Sequence, residues 1–316
     1  SEDARKVASK LDIPYYVLDY TESFSKNVVD NFTQMYAQGL TPNPCVECNR
    51  SVKFDHFISQ AKKLNCDKVA TGHYAKIIKK NNEFELHKAD YLDKDQSYVL
   101  HMLKSSDLEN ISFPLGEISK PEVRQIAARI GLKTAFKKDS QDICFVGKKD
   151  YRSFVEKRID LTSPGEIFDI EGNKVGDHNG IHEFTVGQRK GLPGGYGTPR
   201  YVTKINVQNK NVTIGEKKDL LVSSFIVEEL SCVNDLEYKN LTIQTRYNSE
   251  DLPCEIKKLS DTKVLVQLKE PAFGVAPGQF GVIYNGTKVV CGGRISPKVL
   301  ENIGWTRKMF EKLLTS

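Results

Sequence analysis

Residues 39–54, G-L-T-P-N-P-C-V-E-C-N-R-S-V-K-F, pass from a loop into a helix, and the rest of the chain is organised around them. Two prolines restrict the backbone just ahead of Cys45 and Cys48, which stand at C-x-x-C spacing. Phe54, Phe57, Ile58, Ala61 and Leu64 then recur on one helical face. That period puts the helix start near Asn49 and both cysteines at the loop-to-helix junction. Unpaired N–H groups and the positive end of the helix dipole favour a thiolate there, the form that attacks electrophiles or binds metals. A tight structural turn with two buried thiols fits the same spacing.

Upstream, residues 3–11 set Ala4, Val7, Ala8 and Leu11 on one helical face, and I-P-Y-Y-V-L (13–18) reads as a short buried strand. Together they are half of a βαβ unit whose first strand is missing. Ser1 opens the chain in mid-helix, as expected of a fragment or trimmed sequence. Phe24, Val28, Phe32 and Met35 mark a second amphipathic helix, which Gly39 ends.

Downstream, D-K-V-A-T-G-H-Y (67–74) reads as a buried strand carrying Gly72 and His73 at its end, the edge of an open α/β sheet where ligands bind. A purely structural histidine is the alternative. K-D-Q-S-Y (94–98) starts a helix with Asp95 as N-cap, which explains that aspartate without any function. Ser119 and Glu122 form a capping box for a helix whose apolar face is Val123, Ile126, Ala127 and Ile130, closed by Gly131. K-K-D-S-Q-D-I-C-F-V-G (137–147) breaks the scaffold pattern and brings a third thiol, Cys144, which only the fold can unite with the C-x-x-C.

After a helix near 150–158, short alternating strands and frequent turn pairs imply β-structure to about residue 295. G-D-H-N-G-I-H-E-F-T-V-G-Q-R-K-G-L-P-G-G (176–195) is glycine-rich and basic, read either as hairpin turns or as a phosphate-contacting loop. T-R-Y (245–247) and A-P-G-Q-F (276–280) are loops near the strands V-L-V-Q-L and G-V-I-Y. Trp305, Phe310 and Leu314 mark a closing amphipathic helix over 296–316.

The 316 residues are enough for two or three domains, and no apolar run nears the roughly 20 residues that span a bilayer. Seven cysteines without a framework favour reduced thiols and a cytoplasmic setting over secreted disulfides. A net charge of +5 fits a polyanionic partner and ordinary surface solubility alike.

T-P-N-P-C-x-x-C-N-R-x-V-K-F, A-T-G-H-Y, K-D-Q-S-Y-V-L, K-K-D-S-Q-D-I-C-F-V-G and F-T-V-G-Q-R-K-G-L, in this order along the whole chain, closely resemble the tRNA-specific 2-thiouridylases, the MnmA family. The resemblance implies replacement of the 2-oxygen of uridine 34 of lysine, glutamate and glutamine tRNAs by sulfur. ATP with Mg2+ activates the uracil oxygen, and sulfur from a persulfide donor, such as a cysteine desulfurase or sulfur-relay protein, displaces AMP. By position, Cys48 matches the nucleophile and Cys144 the persulfide carrier, two sulfurs that must come within disulfide-bonding reach. Asn43, Pro44 and Cys45 match the segment around the target base, Gly72 a nucleotide contact, and His73, Lys94, Asp95, Gln96, Arg246, Tyr247 and Gln279 tRNA contacts.

The implied fold is a PP-loop α/β domain of the adenine nucleotide alpha hydrolase type, N-terminally incomplete, over 1–155. A small central β domain (156–218) and a tRNA-binding β-barrel (219–316) follow. Two departures stand out. Many members carry Asp where this chain has Cys45, so a carboxylate for acid-base work is absent, and Cys45, Cys48 and Cys144 instead fit three ligands of a 4Fe-4S cluster. The family's S-G-G-V-D-S-S phosphate loop is also absent from these residues. That leaves a non-catalytic tRNA-binding protein as the rival reading, and a thiol-disulfide or zinc protein as a further one.

Overall fold

The computed structural model describes residues 2–137, 143–147, 150–159, 163–231 and 239–297; the expected helix over 296–316 falls almost wholly outside them. Six antiparallel strands, Leu221–Glu228, Leu241–Gln244, Leu252–Ser260, Lys263–Phe273, Phe280–Asn285 and Lys288–Ile295, close on themselves into a barrel. Period-2 alternation sends Phe225, Val227, Ile243, Val264, Val266, Ile283 and Ile295 into its fully buried core. Closure pairs every strand edge, so the carboxyl half holds together through its own ladder. Before it, a four-stranded sheet of Gly165–Phe168, Lys174–His178, Tyr201–Asn206 and Asn211–Gly215 is built on Ile167, Val202, Val212 and Ile214.

The amino-terminal region is helical around one short parallel pair, Val69–Ala70 with Ile111–Ser112. Thr21–Phe24, a π-helical stretch Ser25–Asp30 and Asn31–Ala37 run end to end, burying Val28, Phe32 and Met35 as their spacing predicts. Gly39, at φ 64°, ends them. The helix Lys120–Arg129 begins with the expected capping box, Ser119 accepting from the Glu122 N–H, and Gly131 follows it at φ 76°.

Four expectations need correction. Residues 13–18 form no strand; Tyr16 and Val17 are 69% and 72% exposed, because no neighbouring strand among the described residues pairs with them. The strand within 67–74 is only two residues long, with Val69 half-buried and Ala70 exposed. The 94–98 segment forms two 3-10 turns, Leu92–Lys94 and Ser97–Leu100, and Asp95 lies between them rather than capping an α-helix. The cysteine helix starts at Pro44, not near Asn49: Asn43 is the N-cap, accepting from the Val46 N–H, and Pro44 fills the first turn. It runs through a second π-helical stretch, Asn49–Phe54, to Lys63.

One element lies outside the expectations above. Ala75–Lys80 and Glu83–Lys88 form a hairpin whose turn residues Asn81 and Asn82 have φ of 49° and 65°, the paired left-handed conformation of a type I′ turn. This hairpin joins the barrel's sheet: His87 pairs with Lys288, the Lys88 N–H donates to the Thr287 carbonyl (2.8 Å), and Lys288 bridges to Glu85 (2.8 Å). At Gly292 an added Cβ would lie 2.4 Å from the His101 ring, so barrel and helical region touch where only glycine fits.

Candidate active site

The loop before the cysteine helix is fixed from the barrel. The Thr41 N–H donates to the Pro277 carbonyl (2.9 Å), and the Gln279 amide donates to the carbonyls of Thr41 (3.3 Å) and Pro42 (3.2 Å). Gln279 thereby anchors the T-P-N-P loop. The Asn43 side chain is occupied too, on the Val46 N–H and on the Tyr98 hydroxyl, which itself donates to the Phe280 carbonyl (2.8 Å). Pro44 is buried beneath.

On that helix Cys45 reaches solvent and Cys48 is half-buried. The turn that carries Cys144 is pinned by its neighbours: the Phe145 ring packs edge-on against Phe32 (5.2 Å) and Phe24 (5.6 Å), and Val146 is buried beside Val155. Cys144 itself is exposed, and its charge bears on both Cys45 and Cys48. All three are free thiols, each within electrostatic reach of the others.

The expected drift toward thiolate is reversed. Desolvation by surrounding protein atoms pushes Cys48 up from the ordinary thiol value, and Cys45 too although its surface still reaches solvent; Cys144 adds to both shifts and Cys45 to that of Cys48. The opposing influence is the Lys53 ammonium, further along the same helix, which favours the thiolates. Lys53 stands in the C-x-x-C-N-R-x-V-K-F motif, yet the pattern of cysteines alone assigns it no role. A cation within two turns after the cysteines, in the π-helical stretch Asn49–Phe54, is the signal that could have found it.

His73 is buried, its Nδ1 2.8 Å from the Thr71 hydroxyl and its ring against Phe54 and Phe113. Burial first, and Lys53 second, push it down to about 4, so it presents a neutral imidazole at neutral pH. Gly72 is exposed and only Leu115 stands near an added Cβ (3.8 Å), leaving bare backbone open to a ligand.

A cleft of about 500 Å³ opens between the helical region and the barrel, lined by Lys88, Leu92, Asp95, Tyr247, Ser249 and Asp251 among others. Lys88 is buried and bridges to Asp251 at 2.6 Å. Asp95 is buried and structural: its carboxylate accepts from the Ala89 N–H (2.8 Å) and the Ser97 hydroxyl (2.6 Å), and burial raises its pKa. Gln96 exchanges hydrogen bonds with the Tyr74 backbone, and Lys94 is half-buried. Tyr247 lines the cleft and Arg246, beside it in the chain, is exposed; the Tyr247 hydroxyl feels both Asp95 and Cys45, so the cleft adjoins the cysteine helix. The Ser249 hydroxyl is buried there with no partner, an open position for a ligand atom.

Among the described residues, Glu156, His182 and Glu183 place ligand atoms within 4.8 Å of one another, and the three thiols do not. The former group works as a hydrogen-bonded pair. His182 Nε2 faces Glu156 (3.1 Å), and a metal on that nitrogen would push the proton to the buried Nδ1, which has no acceptor.

Three family descriptions match in succession: tRNA methyl transferase HUP domain over residues 1–148, tRNA methyl transferase PRC-barrel domain over 152–216, and aminomethyltransferase beta-barrel domain over 222–295. The tRNA-specific 2-thiouridylase MnmA of Rickettsia prowazekii is 43% identical over 94% of this chain and 84% of its own length. Those of Lachnoclostridium phytofermentans and Chloroflexus aurantiacus are each 42% identical, over 93% of this chain and 84% and 83% of their lengths. No helix among the described residues is long and apolar enough to cross a membrane. With a HUP-type helical region, a middle β-barrel domain and a closed six-stranded barrel in this order, the chain belongs to the tRNA-specific 2-thiouridylase (MnmA) family.

Proposed function

We propose that this protein transfers sulfur to C2 of the wobble uridine of tRNA, with the thiols of Cys48 and Cys144 as the groups that handle the sulfur. The observation that carries this reading is the meeting of three free thiols with Lys53 beside a cleft lined by Tyr247. ATP, with Mg2+, is the co-substrate that turns the uracil 2-oxygen into a leaving group. Cys144, exposed, receives sulfur from a persulfide donor protein. Its terminal sulfur attacks C2, AMP leaves with the former 2-oxygen, and the Cys48 thiol then breaks the remaining S–S bond, leaving a Cys48–Cys144 disulfide that an external thiol reduces. Lys53 offsets the negative charge on whichever sulfur is ionised.

The target base enters beside Asn43, Pro44 and Cys45, with neutral His73 and bare Gly72 behind it. Tyr247 offers a stacking face to an unstacked base, Arg246 a phosphate contact, and Lys94 adds positive charge at the cleft. Asp95, Gln96 and Gln279 support this surface through the bonds that hold its loops. The test is formation of 2-thiouridine in transcribed tRNA, read by mass spectrometry. Cys48→Ser and Cys144→Ser are expected to abolish it, with Cys66→Ser as the exposed-thiol control; thiolation by either of the first two at the unsubstituted rate refutes the assignment.

A second reading rests on Cys45, whose charge bears on Cys48 as Cys144 does. Cys45, Cys48 and Cys144 would hold three irons of a 4Fe-4S cluster, whose fourth iron binds sulfide for transfer. Anaerobic reconstitution with iron and sulfide decides between them: colour lost in each of the three Cys→Ser variants supports the cluster, and a colourless protein leaves the persulfide route.

A further inference from the structure

Glu47 occupies the second x of the C-x-x-C, between the two thiols, and its side chain is 7% exposed. A buried carboxylate at that place is costly unless it is paired and hydrogen-bonded. Its Oε1 accepts from Arg294 Nη2 at 2.8 Å and its Oε2 from Arg50. Arg50 is a neighbour on the same helix, 43% exposed, and would accompany Glu47 wherever the helix went. Arg294 belongs to the last barrel strand, Lys288–Ile295, and is itself 11% exposed.

The guanidinium has no freedom left. Nη1 donates to the Gly278 carbonyl (3.3 Å) and to the Met35 sulfur (3.1 Å), Nε lies 3.4 Å from Glu229, and the group stacks over the Phe280 ring at 5.0 Å. Gly278 adjoins Gln279, which holds the Thr41–Pro42 carbonyls. Arg294 thus ties three things at one point: the cysteine helix through Glu47, the helix Asn31–Ala37 through Met35, and the barrel loop that grips the T-P-N-P segment. The planar fork matches a carboxylate bidentately or through a single arm with fixed direction, which a lysine cannot reproduce.

We infer that Arg294 and Glu47 are positioning residues that set the height and rotation of the cysteine helix against the barrel, so that tRNA held on the barrel meets Cys45 and Cys48 at reacting distance. The inference rests on the reading of Cys48, on this helix, as a sulfur-handling group. Displacing a reacting group by about 1 Å costs on the order of 10²-fold in rate, whereas phosphate contacts elsewhere keep substrate affinity. The pair therefore bears on kcat and leaves KM for tRNA nearly unchanged.

The test compares Arg294→Met, Glu47→Gln and the double variant in the full chain. Removing one partner leaves a buried charge poorly paired and lowers thermal stability, while replacing both restores it. In the double variant the melting temperature is expected to recover while kcat stays at least about tenfold down and KM for tRNA holds. Recovery of kcat together with the melting temperature overturns the inference, because the pair would then be structural support only. A turnover-independent readout is the alkylation rate ratio of Cys45 and Cys48 to exposed Cys66. It shifts in the double variant if the helix has moved, and an unchanged ratio also overturns the inference. Because alkylation needs no turnover, it separates failure of this inference from failure of the cysteine assignment, which Cys48→Ser tests.

Discussion

Two helices of the amino-terminal region begin alike and end in opposite situations. Pro44–Cys48 has Asn43 as N-cap with proline in its first turn, and Lys120–Arg129 has Ser119 as N-cap with proline in its first turn. The first buries Pro44, Val46 and Glu47 and is held by Arg294 and Gln279. The second buries none of its residues, and Ile126 remains 39% exposed. Local chemistry starts both helices; only contact with the barrel makes one of them a site. Capping is a short-range property, and docking is a long-range one.

The sharpest way to break this contrast is substitution on each helix. Cys48→Ser is expected to lower 2-thiouridine formation by at least about 10³-fold, as removal of a nucleophile does. Glu122→Gln, on the other helix, is expected to leave turnover unchanged. A rate loss of similar size for both would show that the second helix also belongs to the site.

Lys53→Met probes the electrostatics of the first helix. Lys53 opposes the upward push of burial on both thiols, so its removal raises their pKa further. The pH profile of Cys45 and Cys48 alkylation should therefore move to higher pH, with slower reaction at pH 7. An unmoved profile would remove Lys53 from the site.

The same contrast shows what residues alone reveal. The capping box at Ser119 and Glu122, the end of the second helix at Gly39 and the strands V-L-V-Q-L and G-V-I-Y are legible, because each depends on local spacing, whereas the approach of Cys144 to the C-x-x-C is a property of the fold alone. Residues 13–18 mislead because an apolar alternating run states a propensity, while strand formation needs a partner. The apolar period places the start of the cysteine helix too late because it begins at Phe54, whereas the cap and the proline have already begun the helix. The hairpin around Asn81 and Asn82 carries a turn signal in that asparagine pair, and its docking on Lys288 has no local signal at all.

Charge neutralisation takes one cation from each of the three regions of the chain. Replacing Lys94, Arg189 and Arg246 together by glutamine should weaken tRNA binding and reduce the salt slope by up to about 3, near one for each phosphate left without its cation. A slope equal to that of the unsubstituted protein contradicts the assignment.

Acid stability follows from two buried imidazoles. His73 and His101 are both pushed down to about 4, chiefly by burial. Their folded values lie below the unfolded one, so the unfolded chain binds more protons between about pH 6.5 and 4. Stability is present above that window and is lost as pH falls through it, so the melting temperature should drop from pH 7 to 4.5. His101→Gln should flatten the drop, and an identical pH dependence would refute the cause.

Ser119→Ala should cost about 1 kcal/mol of stability with no change in turnover. Asn43→Ala should cost about as much or more, since it also removes the Tyr98 bond, and should slow turnover as well. Equal destabilisation without any rate change at Asn43 would erase the distinction between the helices.

The central claim is that Cys48 and Cys144 act as one sulfur-handling site despite their separation in sequence. Mild oxidation with diamide, followed by peptide mapping under non-reducing conditions, tests it without requiring turnover. A dominant peptide linking Cys48 to Cys144 is expected, lost on Cys144→Ser. Cys144 found only reduced or paired with exposed Cys66, under conditions that oxidise Cys48, would contradict it.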